Sequence, residues 1–139
     1  MTTRTRLVLA CAGSPRTTAA IPPLARQYGA DVVTVTLDLG QGGDLEDVRE
    51  RALAAGAVRA HGLDLREEVG REYVLPALRA GALQGSEGSA TGALASALVA
   101  RKLVEIAHIE QATIAAHGGL PGTVDQARIE AAVRALDAS

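Results

Sequence analysis

The chain has 139 residues, a net charge of −2 and 47% hydrophobic residues, yet it has no Phe or Trp and only two Tyr. That length predicts a single domain, residues 1–139, with a core of Val, Leu, Ile and Ala. Interspersed charges without a basic block, and no aromatic platforms for stacking bases, speak against nucleic acid as a partner. No apolar run approaches the ~20 residues of a membrane span, which speaks against a membrane protein. The N-terminal MTTRTR lacks the apolar region of a signal peptide, and the lone Cys11 makes neither an internal disulfide nor a metal cluster; a cytoplasmic protein is expected.

In chain order, Leu7–Cys11 is a short apolar run bounded by a turn signal, the pattern of a fully buried strand. It empties into Ala12–Thr18, small and hydroxylated residues with one glycine, and then into a helical segment ending at Tyr28-Gly29. A strand, a small-residue loop and a helix N-terminus form a common anion-binding design. Pro22-Pro23 falls inside that helical segment and predicts a shortened or late-starting first helix. Asp31–Leu37 (DVVTVTL) is rich in β-branched residues and predicts a second buried strand. Gly40–Gly43 is a turn, and Asp44 can cap a helix over Leu45–Ala55, which Gly56 stops.

A third strand is expected at Val58–Leu63. Asp64 then caps a helical region whose second half opens at Pro76. Gln84–Thr91 is a loop by composition, and a long helix follows to Gln111, with Leu94, Leu98, Val99, Leu103 and Ile106 along one side. Ala112–Ala116 predicts a fourth strand, His117–Thr123 a glycine-rich loop, and Asp125–Leu136 a final helix. Strands alternating with helices predict an α/β fold with a doubly wound, mainly parallel sheet and helices on both faces. Ligands bind such sheets at the carboxyl ends of the strands, beside the switch point in strand order. Three loops meet there, Ala12–Thr18, Leu37–Gly43 and His117–Thr123, although their glycines equally suit plain turns.

Several stretches at and around these loops resemble one family. They are TLDLGQGGDLEDVRERAL (Thr36–Leu53), DLREE (Asp64–Glu68), LPALRAGAL (Leu75–Leu83), ARKLVEIA (Ala100–Ala107) and AHG with DQARIE (Ala116–Glu130). Together they resemble argininosuccinate synthase, over essentially the whole chain but only over that family's N-terminal nucleotide-binding domain; the larger synthetase domain is expected to be absent. The resemblance implies an ATP-pyrophosphatase type of fold, of the Rossmann-like adenine nucleotide alpha hydrolase kind. The family's enzymes activate the ureido oxygen of citrulline with ATP, release pyrophosphate, and let the amine of aspartate displace AMP.

The family's phosphate loop reads roughly AYSGGLDTS, and the same positions here are Ala10, Cys11, Ala12, Gly13, Ser14, Pro15, Arg16, Thr17 and Thr18. Ser14 stands where the family has its second glycine; at a position needing φ > 0 a side chain costs on the order of 1 kcal/mol and crowds the pyrophosphate. Pro15 deletes an N–H donor. Arg16 replaces an aspartate, which weakens any magnesium site. An arginine about 4 Å from a phosphate nonetheless gains roughly 4 kcal/mol of gross attraction at intermediate dielectric.

The acceptor motifs depart further. The family's EGYYLLGTSIARP segment is GSEGSATGALASA here, with Glu87, Gly92, Ala93 and Ser96 in place of its tyrosine, threonine, serine and arginine. In AHGGLPGTVDQARIE, Gly118 matches a nucleotide contact and Asp125 and Arg128 match amino-acid contacts. Leu120 and Val124 replace the threonine and asparagine that grip aspartate. A site stripped of polar groups loses its selectivity for a polar substrate. Asp125 and Arg128 also suit a plain intrahelical pair at i, i+3.

The resemblance therefore implies a stand-alone domain binding ATP or AMP without argininosuccinate synthesis, and no catalytic residue is assigned. Its nucleotide contacts would be Ala10, Gly13, Ser14, Arg16, Thr17, Thr18, Leu37 and Gly118, with magnesium weakly held if at all. Two alternatives stand beside it: an ATP-dependent ligase that needs a partner chain, and a homo-oligomeric interaction protein with a vestigial pocket. His61, His108 and His117 lie on different elements without metal-ligand spacing, and His117 suits a structural role.

Overall fold

The computed structural model describes residues 4–11, 15–38, 44–79, 89–117 and 124–136. Its four strands form one parallel sheet: β1 (Thr5–Ala10), β2 (Ala30–Asp38), β3 (Arg59–Asp64) and β4 (Ile114–His117), in the order β3-β2-β1-β4. The helices between them are α1 (Pro15–Ala19), α2 (Ile21–Tyr28), α3 (Leu45–Ala54), α4 (Arg66–Glu68), α5 (Leu75–Arg79), α6 (Ser89–Ile109) and α7 (Val124–Leu136), with a π-helical stretch Val69–Val74 joining α4 to α5. The expected doubly wound α/β fold is the one observed.

Alternation along the strands builds a core on each side. Leu7 and Leu9 of β1 pack with Val32 of β2, Ile21 of α2 and Ala52 of α3. Val8 points the other way and meets Val33, Val35, and Leu103 and Ile106 of α6, with Val133 of α7 at the margin. Both faces are thus covered, as a parallel sheet requires. Each of these buried aliphatic side chains contributes roughly 1.5–3 kcal/mol, so the core holds without large aromatics.

Local chemistry corrects several expected boundaries. The first helix starts neither late nor as one piece: α1 opens at Pro15, the chain breaks at Ala20, and α2 takes its prolines at its second and third positions, within the first turn. There a missing N–H removes no intrahelical bond, which is why two prolines are tolerated. Gly29 closes α2 in the left-handed region (φ 56°), its N–H directed at the carbonyls of Ala25 and Arg26. Asp44 caps α3 by accepting from the Glu46 N–H. Asp64 ends β3 rather than capping a helix, although its Oδ1 accepts the Arg66 N–H at 3.2 Å.

The loop expected at Gln84–Thr91 is helical from Ser89; residues 84–88 lie outside the described residues. β4 begins two residues late because α6 is wound off through Gln111 (φ 54°), with Ala112 N–H bonding back to the Ala107 carbonyl at 2.8 Å. That six-to-one closure consumes residues 110–112 and places His117 on the strand instead of in the loop after it.

Candidate functional site

Strand order reverses between β1 and β4, since β1 leads by one crossover to β2 on one side and β4 lies on the other. The carboxyl ends of these two strands therefore flank the crevice where open α/β sheets take ligands. Ala10 and His117 are direct register partners at that point. On the other side of β1, Ala10 is paired with Val35, and the Cys11 N–H extends the ladder by one bond to the Val35 carbonyl at 2.8 Å.

α1 leaves from this end. The buried Cys11 thiol donates to the buried Thr17 hydroxyl oxygen at 3.3 Å, pinning the helix to the strand it follows. Thr17 is thereby turned inward, whereas Arg16 is exposed and Thr18 half-buried. Ala10 and Leu37 are half-buried and pack against the Val8–Val33–Val35 cluster. Gly13, Ser14 and Gly118 lie outside the described residues. Asp125 and Arg128 both fall on α7, three residues apart. His117 Nε2 lies 3.6 Å from Glu130 Oε1, tying β4 to α7.

One charged group at this end escaped the sequence reading. Asp38 and Asp64 end the adjacent strands β2 and β3, and Arg66 sits over both. Its Nε and Nη2 donate to the two oxygens of Asp64 at 2.9 and 2.7 Å, and Nε stands 3.6 Å from Asp38 Oδ2. The Arg66 side chain first, and its backbone N–H second, hold the Asp64 carboxyl at about 2, while the carboxylates raise the guanidinium above its ordinary value. The DLREE stretch contains both partners, so an aspartate two residues before an arginine at a strand end was the available signal.

A second cluster, also missed, lies at the opposite end of the sheet. Glu110 follows α6 and is buried to 1% exposure. Arg6 Nη1 donates to its Oε2 at 3.2 Å and to its carbonyl at 3.0 Å. Arg59 Nη1 reaches both carboxylate oxygens at 2.9 and 3.0 Å, and His61 Nε2 lies 2.8 Å from Oε1. Burial pushes this carboxyl up, but hydrogen bonds from His61 and Arg59 outweigh it and hold Glu110 below the usual range.

Among the described residues, the start of α1 beside the crevice carries the exposed Arg16 and the half-buried Thr18, side chains that can donate to an anion. Among the described residues no trio of His, Cys, Asp and Glu gathers to hold a metal ion. No helix among them is long and apolar enough to cross a membrane.

Comparison with known proteins bears on this geometry. Residues 6–139 match the family model described as the arginosuccinate synthase N-terminal HUP domain. Argininosuccinate synthase from Streptococcus suis (strain 05ZYH33) is 43% identical over 137 residues, covering 99% of this chain and 34% of the relative. That from Oleidesulfovibrio alaskensis is 43% identical over 134 residues, covering 96% and 34%. The chain thus spans about a third of the length of the curated relatives it matches. Among solved structures, NAD+ synthetase from Burkholderia pseudomallei aligns with TM-score 0.49 and 20% identity over 98% of this chain and 61% of that one. A universal stress protein in complex with cAMP aligns with TM-score 0.48 and 16% identity over 96% and 91%.

Proposed function

The chain belongs to the family of the arginosuccinate synthase N-terminal HUP domain, and from that premise we propose that it binds an adenine nucleotide, ATP or AMP, without itself making argininosuccinate. The observation that carries this reading is the switch point between β1 and β4, with Ala10 and His117 as register partners at its rim. The base lies against Ala10 and Leu37 and the ribose by Gly118. The phosphates lie along the loop after β1, by Gly13 and Ser14, with Arg16, Thr17 and Thr18 at the start of α1.

The residues at hand bind and orient; they do not activate. The exposed Arg16 supplies positive charge where the triphosphate would sit, and an arginine fork suits phosphate oxygens. In place of the family's acid, that cation weakens any site for magnesium, and we derive no step through a metal. The acceptor side lacks the groups that would read aspartate, so Asp125 and Arg128 alone do not build a selective amino-acid site. Calorimetric titration tests the reading: saturable heat with ATP or AMP is expected, and no heat at millimolar ligand overturns it.

A second reading is supported by the family match over residues 6–139. In it, the domain is the nucleotide-binding part of an ATP-dependent ligase completed by a partner chain. Pyrophosphate release from ATP, magnesium, citrulline and aspartate on adding such a partner distinguishes the two; binding without release supports the first.

A further inference from the structure

The amino-terminal edge of the sheet lies at the far end from the crevice, and four arginines reach it. Arg4 and Arg6 come from the start of β1, Arg26 from the last turn of α2 and Arg59 from the start of β3. Against them stand two carboxylates, Asp31 and Glu110. Among the described residues, these four arginines outnumber the two carboxylates set against them, on a chain whose total is −2.

The way those carboxylates are used matters more than the count. Glu110 is buried beneath Arg6 and Arg59 and takes a single nitrogen, Nη1, from each. The Arg6 and Arg59 side chains are 39% and 58% exposed. Glu110 therefore fixes the two side chains while its carboxylate engages only one nitrogen of each. Arg4 likewise meets Asp31 through Nη1 alone, and Arg26 pairs with no carboxylate among the described residues.

Apolar groups complete the surface. Tyr28, Val58 and Ile109 are each about half exposed or more at this end. Arg4, Arg26, Asp31 and Val58 line a hollow of about 360 Å³ whose wall includes Gly29 and Gly56, with two cations against one carboxylate. Both glycines are in the left-handed region (φ 56° and 114°), and a Cβ at either would meet nothing within 4 Å, so the wall there is bare backbone facing open space. Exposed tyrosine and arginine beside a hollow of mixed lining is a composition found at protein interfaces.

We propose that this edge is a docking surface for an acidic polypeptide segment of a partner protein. Its carboxylates would meet Arg4, Arg6, Arg26 and Arg59, and one apolar side chain would enter the hollow beside Val58. Charge complementarity selects the partner's sign. Four cations spread over three separate elements suit several carboxylates on one chain better than a single small anion. Side chains already held by Asp31 and Glu110 lose less freedom on binding, which favours the complex.

Fluorescence anisotropy of a labelled peptide of glutamates around one central leucine, titrated with the full chain at low salt, tests this. Saturable binding is expected, weaker at about 150 mM salt and weakened at least about tenfold in the Arg4→Glu/Arg26→Glu double variant. Arg49→Glu on α3 is the control and should bind as the parent does. If the double variant melts early, Arg26→Ala replaces it, with about a threefold loss expected. The proposal is overturned by no saturable binding, by an equal loss in the control, or by displacement of the peptide with inorganic phosphate or an oligonucleotide at matched charge.

Discussion

At the carboxyl end of the sheet β1 and β4 stop at Ala10 and His117, β2 and β3 stop at Asp38 and Asp64 under the exposed Arg66, and Cys11 bonds to Thr17. At the amino end one buried carboxylate, Glu110, draws Arg6, Arg59 and His61 together from two strands that do not touch each other. In terms of buried charge among the described residues, the first end is left open; the second is tied shut around Glu110, beneath arginines that remain exposed on its surface. The difference teaches where this fold keeps stability and where the proposed nucleotide would sit. Mutations of Glu110 and of Arg16 should therefore separate the effects: loss of folding at one and loss of nucleotide binding at the other.

The largest expected effect is at the closed end. Glu110→Ala leaves two arginines and a histidine around an empty site, and a broken buried pair costs about 3 kcal/mol when the partners are as solvated as these. Urea unfolding reads this as a lower midpoint at unchanged slope. Nucleotide affinity of the folded fraction should stay as in the parent; a matching loss of affinity would break the comparison. The same residue sets an acid response. Because the folded state holds its carboxyl below the usual range, its contribution is complete above the unfolded value of about 4.3 and is lost as pH falls through the folded value. Glu110→Gln should remove that part of the acid destabilisation, read from unfolding midpoints at successive pH values.

At the open end, Arg16→Ala should weaken ATP about tenfold, about 1.4 kcal/mol, while changing the melting midpoint little, because the side chain is exposed. A large stability loss with unchanged affinity would reverse the assignment. The smallest effect is on β2. Thr34 is 1% exposed and its hydroxyl has no partner among the described residues. A buried unpaired hydroxyl costs free energy that an isosteric valine does not, so Thr34→Val should stabilise by about 1 kcal/mol. A destabilising result would mean that the hydroxyl is satisfied by water.

The sheet was legible because β-branched and aliphatic runs such as DVVTVTL have few other ways to bury both faces. The split of the first helix was not, because Pro22-Pro23 signals either a break or a helix start, and only the chain's path from Pro15 decides between them. β4 was misplaced by two residues because nothing in QAT announces that Gln111 takes a left-handed turn. The crevice was legible in part: loop composition and family motifs pointed to it, while the inward turn of Thr17 onto Cys11 depends on packing. The Glu110 cluster had no local signature at all. Its partners are 104 and 51 residues away, and the one hint was an arginine at the same inward phase of β1 as the fully buried Val8.

Those long sequence separations also give the cluster a kinetic character. Contacts between groups so far apart form after the local helices and the first strand pairs, once the loops between them have closed. Loss of the Glu110 carboxylate should then leave the refolding rate near that of the parent and speed unfolding, so that Glu110 acts as a brake on opening rather than as a seed of folding.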